Sequence, residues 1–372
     1  MPNINDYLKY AETAFAAYAS NLTQGKGNTL KYEEANMTTS QAQHFDAGWQ
    51  VLGQQDLSDG FSAVLLQSVD VLGNPAGQKV LAIRGTEGSH WGMDFFADAI
   101  NIGLLGTSAG MLQYASLENF YQTLMVQGKL GATEGFVTTG HSLGGFLAQA
   151  FTAKHSQVSA AYTYNAPGFS VAPGVVSNLG TELLKLFGLS GTIPNDKIFN
   201  MRAYDGISAT AGLGQMIGAV QTVNIEATIN PVTNHSIATL TDALAVYSAY
   251  SGLAPALSSE QIGALLKASG VSGNSMLENA LDALRATLVD GNIAVTAGQQ
   301  TSTDRDNLYT NLYVLQASTA YKNLVNTATL APLAGAGGGT LVSAAKTDFG
   351  RFFALKYMLP FALDGARETL NK

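Results

Sequence analysis

Along the first two thirds of the chain, apolar positions alternate between helix and strand spacing. From about residue 6 to 21, Tyr7, Tyr10, Ala11, Ala14, Phe15 and Tyr18 recur three and four positions apart, which predicts a helix with one face on a core. Strand-like runs follow at 48–54 and 61–69, with Asp59-Gly60 as the turn between them. The Gly- and Pro-containing stretch 72–77 leads into Lys79–Ile83, an apolar run that reads as a central strand. Helix patterns at 116–127, 143–154 and 175–187 then interleave with strand patterns at 136–139, 160–165 and 198–204. Alternation of this kind predicts a mostly parallel sheet with helices on both faces, and hence a ligand site at the carboxyl ends of the strands.

After Ser236 a helix is expected to about Tyr250, and Ser251-Gly252 closes the α/β part, so the reading divides the chain into a domain of residues 1–252 and an extension of residues 253–372. The extension reads as helices separated by Gly and Ser breaks. Ser275 with Glu278 predicts a capping box ahead of the stripe Leu277, Leu281, Leu284 and Leu288, and 304–325 and 341–359 look similar. No repeat of fixed period is present, and glycine, proline and threonine dilute 328–345 below what a membrane-spanning helix needs.

Composition narrows the function classes. Of 372 residues 46% are hydrophobic, enough for a sizeable core, whereas only 12% are charged and the formal net charge is −8. That balance opposes a phosphate-backbone partner, so no nucleic acid is expected. With no cysteine there is neither a disulfide framework nor a thiolate metal site, and the five histidines show no paired metal-ligand spacing, so no metal site is assigned. The N-terminus lacks the basic start and apolar run of a signal peptide. The low charge and the many glycines nevertheless suit a secreted bacterial protein, with the cytoplasm left open.

The chemistry centres on Phe136-Val-Thr-Thr-Gly140-His-Ser142-Leu-Gly144-Gly145, a β-prone run that breaks at Gly140 and resumes as a helix after Ser142. Glycines at 140 and 144 remove the Cβ atoms that would collide where a strand turns sharply into a helix. The serine between them is presented at a helix N-terminus, where backbone N–H groups favour developing negative charge. A second G-x-S-x-G at 106–110 has poor strand and helix context, so Ser108 is read as a loop serine.

A serine nucleophile needs a base and an acid that orients it, in the chain order Ser, Asp or Glu, His for an α/β-hydrolase. Downstream of Ser142 only His155 and His235 remain. His155 lies near the far end of the helix that starts at the nucleophile, about 20 Å away at 1.5 Å per residue, which leaves His235 as the base. Among the intervening carboxylates, Asp205 directly follows the strand 198–204 and so lies at the catalytic edge, whereas Asp196 precedes it; Glu226 ranks second and Glu182 third. One oxyanion donor is expected from the backbone N–H of Leu143, and the other from Thr86, after the strand 79–83.

The run Ile83-Arg84-Gly85-Thr86 followed by Asp94-Phe95-Phe96-Ala97-Asp98, the stretch VTTGHSLGG at 137–145 and TYNAPG at 163–168 together resemble the class 3 lipases of the α/β-hydrolase fold. The chain is more loosely similar to bacterial secreted lipases and phospholipases with calcium-repeat tails, although no such repeat occurs here. The resemblance covers about residues 45–250. It implies an α/β fold of the α/β-hydrolase type, with a mostly parallel central sheet; the segments at about 90–110 and 169–191 read equally as lid-like insertions over the site or as permanently packed surface helices, and the C-terminal helical extension lies beyond the resemblance. It also implies a serine ester hydrolase of lipase or phospholipase A type, with Ser142, Asp205 and His235 as triad and Thr86 and Leu143 as oxyanion donors. A lipid or ester substrate met at a lipid–water interface follows, with no cofactor required; a structural calcium on loop aspartates is compatible but not legible. The competing readings are an acyltransferase using the same triad, and a non-enzymatic scaffold on a hydrolase core.

Overall fold

The computed structural model describes residues 2–58, 60–85, 108–168, 194–204, 216–269, 275–289, 296, 302–332 and 361–364. The expected lid-like insertions lie outside these residues apart from 108–110, as do the expected helices at 175–187 and 341–359. The chain divides into two compact units, Met1–Thr222 with Thr228–Thr241, and Val223–Ala227 with Asp242–Lys372.

The first unit opens with Ile4–Ala16 (α1). Its start is a local capping box in which the Asn3 side chain accepts from the Asp6 N–H at 2.9 Å and the Asn3 N–H donates back to Asp6 at 3.0 Å. Two short helices, Thr29–Glu34 (α2) and Thr39–Gly48 (α3), precede Trp49–Asp56 (β1), Ser62–Val69 (β2) and Pro75–Ile83 (β3). Ser108–Val126 (α4), Phe136–His141 (β4), Leu143–Lys154 (α5), Val158–Tyr164 (β5), Ile198–Ala203 (β6), Ala219–Val223 (β7) and Pro231–His235 (α6) follow. Ser108 therefore opens a helix rather than sitting in a loop, because the helical run extends eight residues upstream of the expected start at 116.

The strands form one sheet in the order β1 to β7, with β1, β2 and β3 antiparallel and β3, β4, β5 and β6 parallel. With its flanking helices, this is the α/β-hydrolase architecture that the sequence predicts. The register pairs Ile83 with Gly140, His141 with Tyr164, and Tyr164 with Met201. Gly85, Ser142, Asn165 and Tyr204 consequently leave the sheet along one edge.

Both faces of the sheet are covered, and β4 shows how. Side chains alternate along a strand, so Thr138 and Thr139 point to opposite faces. The Thr138 hydroxyl meets that of Thr152 on α5 at 3.1 Å, whereas the Thr139 hydroxyl donates to the Tyr10 carbonyl of α1 at 3.0 Å. The α5 face is an apolar core in which Leu117, Phe120 and Leu124 of α4 and Leu147 and Phe151 of α5 pack on Leu81 and Phe136. The α1 face is aromatic: Tyr7 meets Tyr162 edge-on at 5.6 Å between centroids, and the Tyr164 hydroxyl donates to the Tyr7 carbonyl at 2.6 Å.

In the second unit, Ile237–Leu253 (α7, from Asp242 on) is followed by Ser259–Ser269 (α8), Met276–Leu288 (α9), Ser302–Ala317 (α10) and Thr319–Leu324 (α11). Thr329–Pro332 (β8) then pairs antiparallel with Phe361–Asp364 (β9). The buried Asp242 carboxylate takes Arg305 through two bonds of 2.6 and 2.8 Å and the Tyr309 hydroxyl at 2.7 Å. The stripe Leu277, Leu281, Leu284 and Leu288 is buried as predicted. The capping box is not formed: Ser275 adopts φ 66° and makes no side-chain cap bond, and Glu278 is fully buried. Instead the Glu226 carboxyl oxygen accepts from the Leu277 N–H at 2.9 Å, so a residue distant in sequence supplies the acceptor that the helix start needs. Among the described residues no helix is long and apolar enough to cross a membrane.

Candidate active site

Ser142 sits between the last residue of β4 and the first of α5, with φ 55° and ψ −125°, and is buried. A residue with a Cβ rarely holds positive φ, and such strain persists only where the surroundings over-determine it. Here the surroundings are visible. The Ser142 N–H donates to the Tyr164 carbonyl of β5 at 2.9 Å, and its carbonyl accepts from Phe146 at 3.2 Å, the first bond of α5. A Cβ on Gly144 would overlap the Ile83 carbonyl oxygen and stand 2.8 Å from the carbonyl carbon and oxygen of Arg84. A Cβ on Gly140 would overlap the Gly144 carbonyl and stand 2.7 Å from the Gly145 nitrogen. The two glycines thus let the start of α5 lie directly against β3 and β4, and that close approach is what turns the chain so sharply at Ser142. Leu143, as the first helical residue, has an N–H without an intrahelical acceptor.

His235 closes α6, a single turn started by Asn230, whose side chain accepts from the Val232 N–H at 2.9 Å, and by Pro231 at the first helical position. Asn234 braces the loop before it, accepting from the Thr228 N–H at 2.7 Å and donating to the Thr228 carbonyl at 2.8 Å. This turn is anchored beside Ser142. The His235 carbonyl accepts from Nε2 of His141, the residue before Ser142, at 2.7 Å and from the Asn165 side-chain amide at 3.1 Å, and the two imidazole rings lie 4.7 Å apart. Burial holds the His235 imidazole well below the ordinary histidine range, with the neighbouring His141 adding to the effect. Burial likewise pushes His141 down to about 4, against a smaller opposing effect of the His235 carbonyl. Both rings are neutral at neutral pH, the form in which a histidine can accept a proton.

Thr86 and Asp205 lie outside the described residues, each one position beyond the last described residue of its segment, Gly85 and Tyr204. Gly85 runs beside Ser142: a Cβ there would stand 3.2 Å from the Ser142 Cβ and 2.7 Å from the Tyr18 hydroxyl. The strand that leads to Asp205 is tied to the same centre, since the Asn165 side-chain oxygen accepts from the Ala203 N–H at 2.9 Å.

The other candidates have different employment. His155 bonds Glu118 at 3.0 Å and stacks on Phe151 at 4.0 Å, at the far end of α5. Asp196 is exposed at the turn before β6, Glu226 serves α9, and Glu182 lies outside the described residues. Two residues that sequence reasoning left without a role, His141 and Asn165, hold the His235 turn. Each lies inside a motif already singled out, and the available signal was a polar side chain at a strand end where burial was certain.

Compared by sequence, the chain matches no family model and no curated protein. Among solved structures it is similar to lipase II from Rhizopus niveus at 16% identity and a TM-score of 0.37, over 59% of this chain and 80% of that one. At that distance the reading of function rests on the geometry of the site itself.

Proposed function

We propose that the protein is a serine ester hydrolase of lipase or phospholipase A type that cleaves fatty-acyl esters through an acyl-enzyme. The observation that carries this reading is Ser142 held at positive φ in the turn from β4 to α5, with the His235 turn hydrogen-bonded to the residue beside it. In the proposed reaction the Ser142 hydroxyl attacks the ester carbonyl while His235 takes its proton and later returns it to the leaving alcohol. Water, deprotonated by the same imidazole, then releases the acid. Asp205 orients and stabilises the imidazolium. The N–H of Leu143 and the N–H and hydroxyl of Thr86 receive the oxyanion, each such donor lowering the barrier by about 3 kcal/mol. The chemistry is complete without a cofactor.

The test is a panel of p-nitrophenyl esters, emulsified triglycerides and phospholipid vesicles assayed with the intact protein and with Ser142→Ala. Hydrolysis of at least one class, lost in the variant, is the expected result. Hydrolysis that survives Ser142→Ala in purified protein would refute the assignment.

A further inference from the structure

We infer that His141 is a positioning residue whose imidazole, bridging the Tyr18 hydroxyl and the His235 carbonyl, fixes the backbone of His235 beside the nucleophile. This inference rests on the reading of Ser142 and His235 as nucleophile and base. The argument starts from a carbonyl oxygen, which can only accept. Because Nε2 of His141 lies 2.7 Å from the His235 carbonyl, Nε2 must carry the proton. In the neutral ring Nδ1 then has a lone pair, and the Tyr18 hydroxyl, 2.8 Å away, donates to it. Any other arrangement sets two lone pairs against each other inside a buried site, either at Nδ1 or at the carbonyl. The His235 carbonyl thus selects the tautomer, and Tyr18, two residues beyond the end of α1, matches it by donating to Nδ1.

The consequence for the base is geometric. A carbonyl oxygen has two lone pairs, and here both have donors: Nε2 of His141 at the end of β4 and the amide of Asn165 just after β5. Asn165 reaches its place by holding φ 45°, and its oxygen is occupied by the Ala203 N–H of β6. Two adjacent parallel strands thus meet at one backbone oxygen, and a third holds the amide of Asn165 that reaches it, which fixes the direction of the peptide from which the His235 ring extends. His141 differs from Asn165 in being covalently joined to Ser142. The bond from its ring therefore ties the base directly to the residue that carries the nucleophile.

The experiment measures p-nitrophenyl butyrate hydrolysis per serine titrated with a fluorophosphonate, across pH, for intact protein, His141→Ala, His141→Gln and Tyr18→Phe. In His141→Ala, kcat per titrated serine is expected to fall about 10- to 100-fold with KM within about twofold, the size expected when reacting groups are misplaced by a fraction of an ångström to 1 Å. The acid limb of kcat/KM moves to higher pH as water reaches the His235 ring. His141→Gln, whose amide nitrogen can occupy the place of Nε2, recovers most of the loss. Tyr18→Phe, which leaves Nδ1 of His141 without a donor, falls several-fold, while the imidazole nitrogen resonances of His141 keep the Nε2–H form that the His235 carbonyl imposes. If His141→Ala fails to fold, the glutamine and phenylalanine variants carry the test.

Turnover per serine and a pH profile that match the intact protein in both His141→Ala and Tyr18→Phe would overturn the positioning role while leaving the hydrolase reading standing. So would glutamine restoring nothing that alanine lost. An intact protein that neither hydrolyses the ester nor takes the label removes the parent reading, and this inference falls with it.

Discussion

Replacing Gly144 by alanine tests whether the close approach of α5 to the sheet is what aims Ser142. The added Cβ would overlap the Ile83 carbonyl oxygen and lie 2.8 Å from the carbonyl carbon and oxygen of Arg84. These are backbone atoms, so no side chain can rotate away. Non-bonded heavy atoms settle at about 3.5–4.0 Å, so the start of α5 and the end of β3 must part by roughly 1 Å. The helix cannot simply retreat, because its first turn also contacts β4 at Gly140, where there is no slack either. Overpacking of this kind costs about 3 kcal/mol, and alanine's better helix propensity offsets about 1 kcal/mol, leaving about 2 kcal/mol of net destabilisation. With Ser142 as the proposed nucleophile, a shift of roughly 1 Å there is expected to lower kcat about 100-fold. Gly48, at the end of α3, has nothing within 4 Å of an added Cβ, so Gly48→Ala is the matched control and is expected to be neutral or stabilising by up to about 1 kcal/mol. Urea unfolding reports the stability difference, and ester turnover per titrated serine reports the misalignment. A Gly144→Ala protein with the intact protein's unfolding midpoint and turnover within about twofold would refute the steric argument, since no smaller displacement relieves the overlap.

Ser142→Gly should raise the thermal midpoint while abolishing turnover, because φ 55° costs a side-chain-bearing residue about 1–3 kcal/mol and glycine gives back at most about 1 kcal/mol in chain entropy; a lower midpoint would contradict the strain. Burial of His141 sets a pH dependence of stability. Its folded pKa of about 4 lies below the unfolded value near 6.5, so the unfolded chain binds a proton that the folded one refuses. Stability is therefore intact above pH ~6.5 and declines as pH falls toward ~4, by about 3 kcal/mol, with His235 acting in the same direction. Urea midpoints at about pH 7 and pH 4.5 should converge more in His141→Gln than in the intact protein, and equal slopes would remove His141 as the source. In the second unit, Asp242→Asn leaves Arg305 without its carboxylate and should cost about 3–5 kcal/mol, read as a loss of cooperative unfolding near the intact midpoint; a shift under about 1 kcal/mol would show that the pair is merely tolerated.

The turn at Ser142 was legible in the sequence because its causes are local. Two glycines within five residues, a β-prone run before them and a helical run after them admit few other conformations. The register of the sheet was legible only in outline, since alternating periods predict parallel strands but not which residues stand side by side. His141 and Asn165 illustrate the limit: their common acceptor, the His235 carbonyl, is 94 and 70 residues away, and nothing in the local pattern distinguishes a backbone carbonyl as a partner. Ser275 and Glu278 illustrate the converse. Their spacing satisfies a local capping rule, yet the helix start is served by Glu226, 51 residues upstream, and Glu278 is buried instead.

The amino-acid order by itself determined the periodicity that builds the parallel sheet and the break that lifts one serine out of it, and it singled out His235 as the histidine proposed for its base. Only the tertiary structure decided that this histidine is held by its backbone at the residue beside the serine, and in which tautomer the holding ring stands. The physical reason is range: dihedral preferences and Cβ clashes act over a few residues, whereas hydrogen bonds to a buried carbonyl depend on where distant strands end.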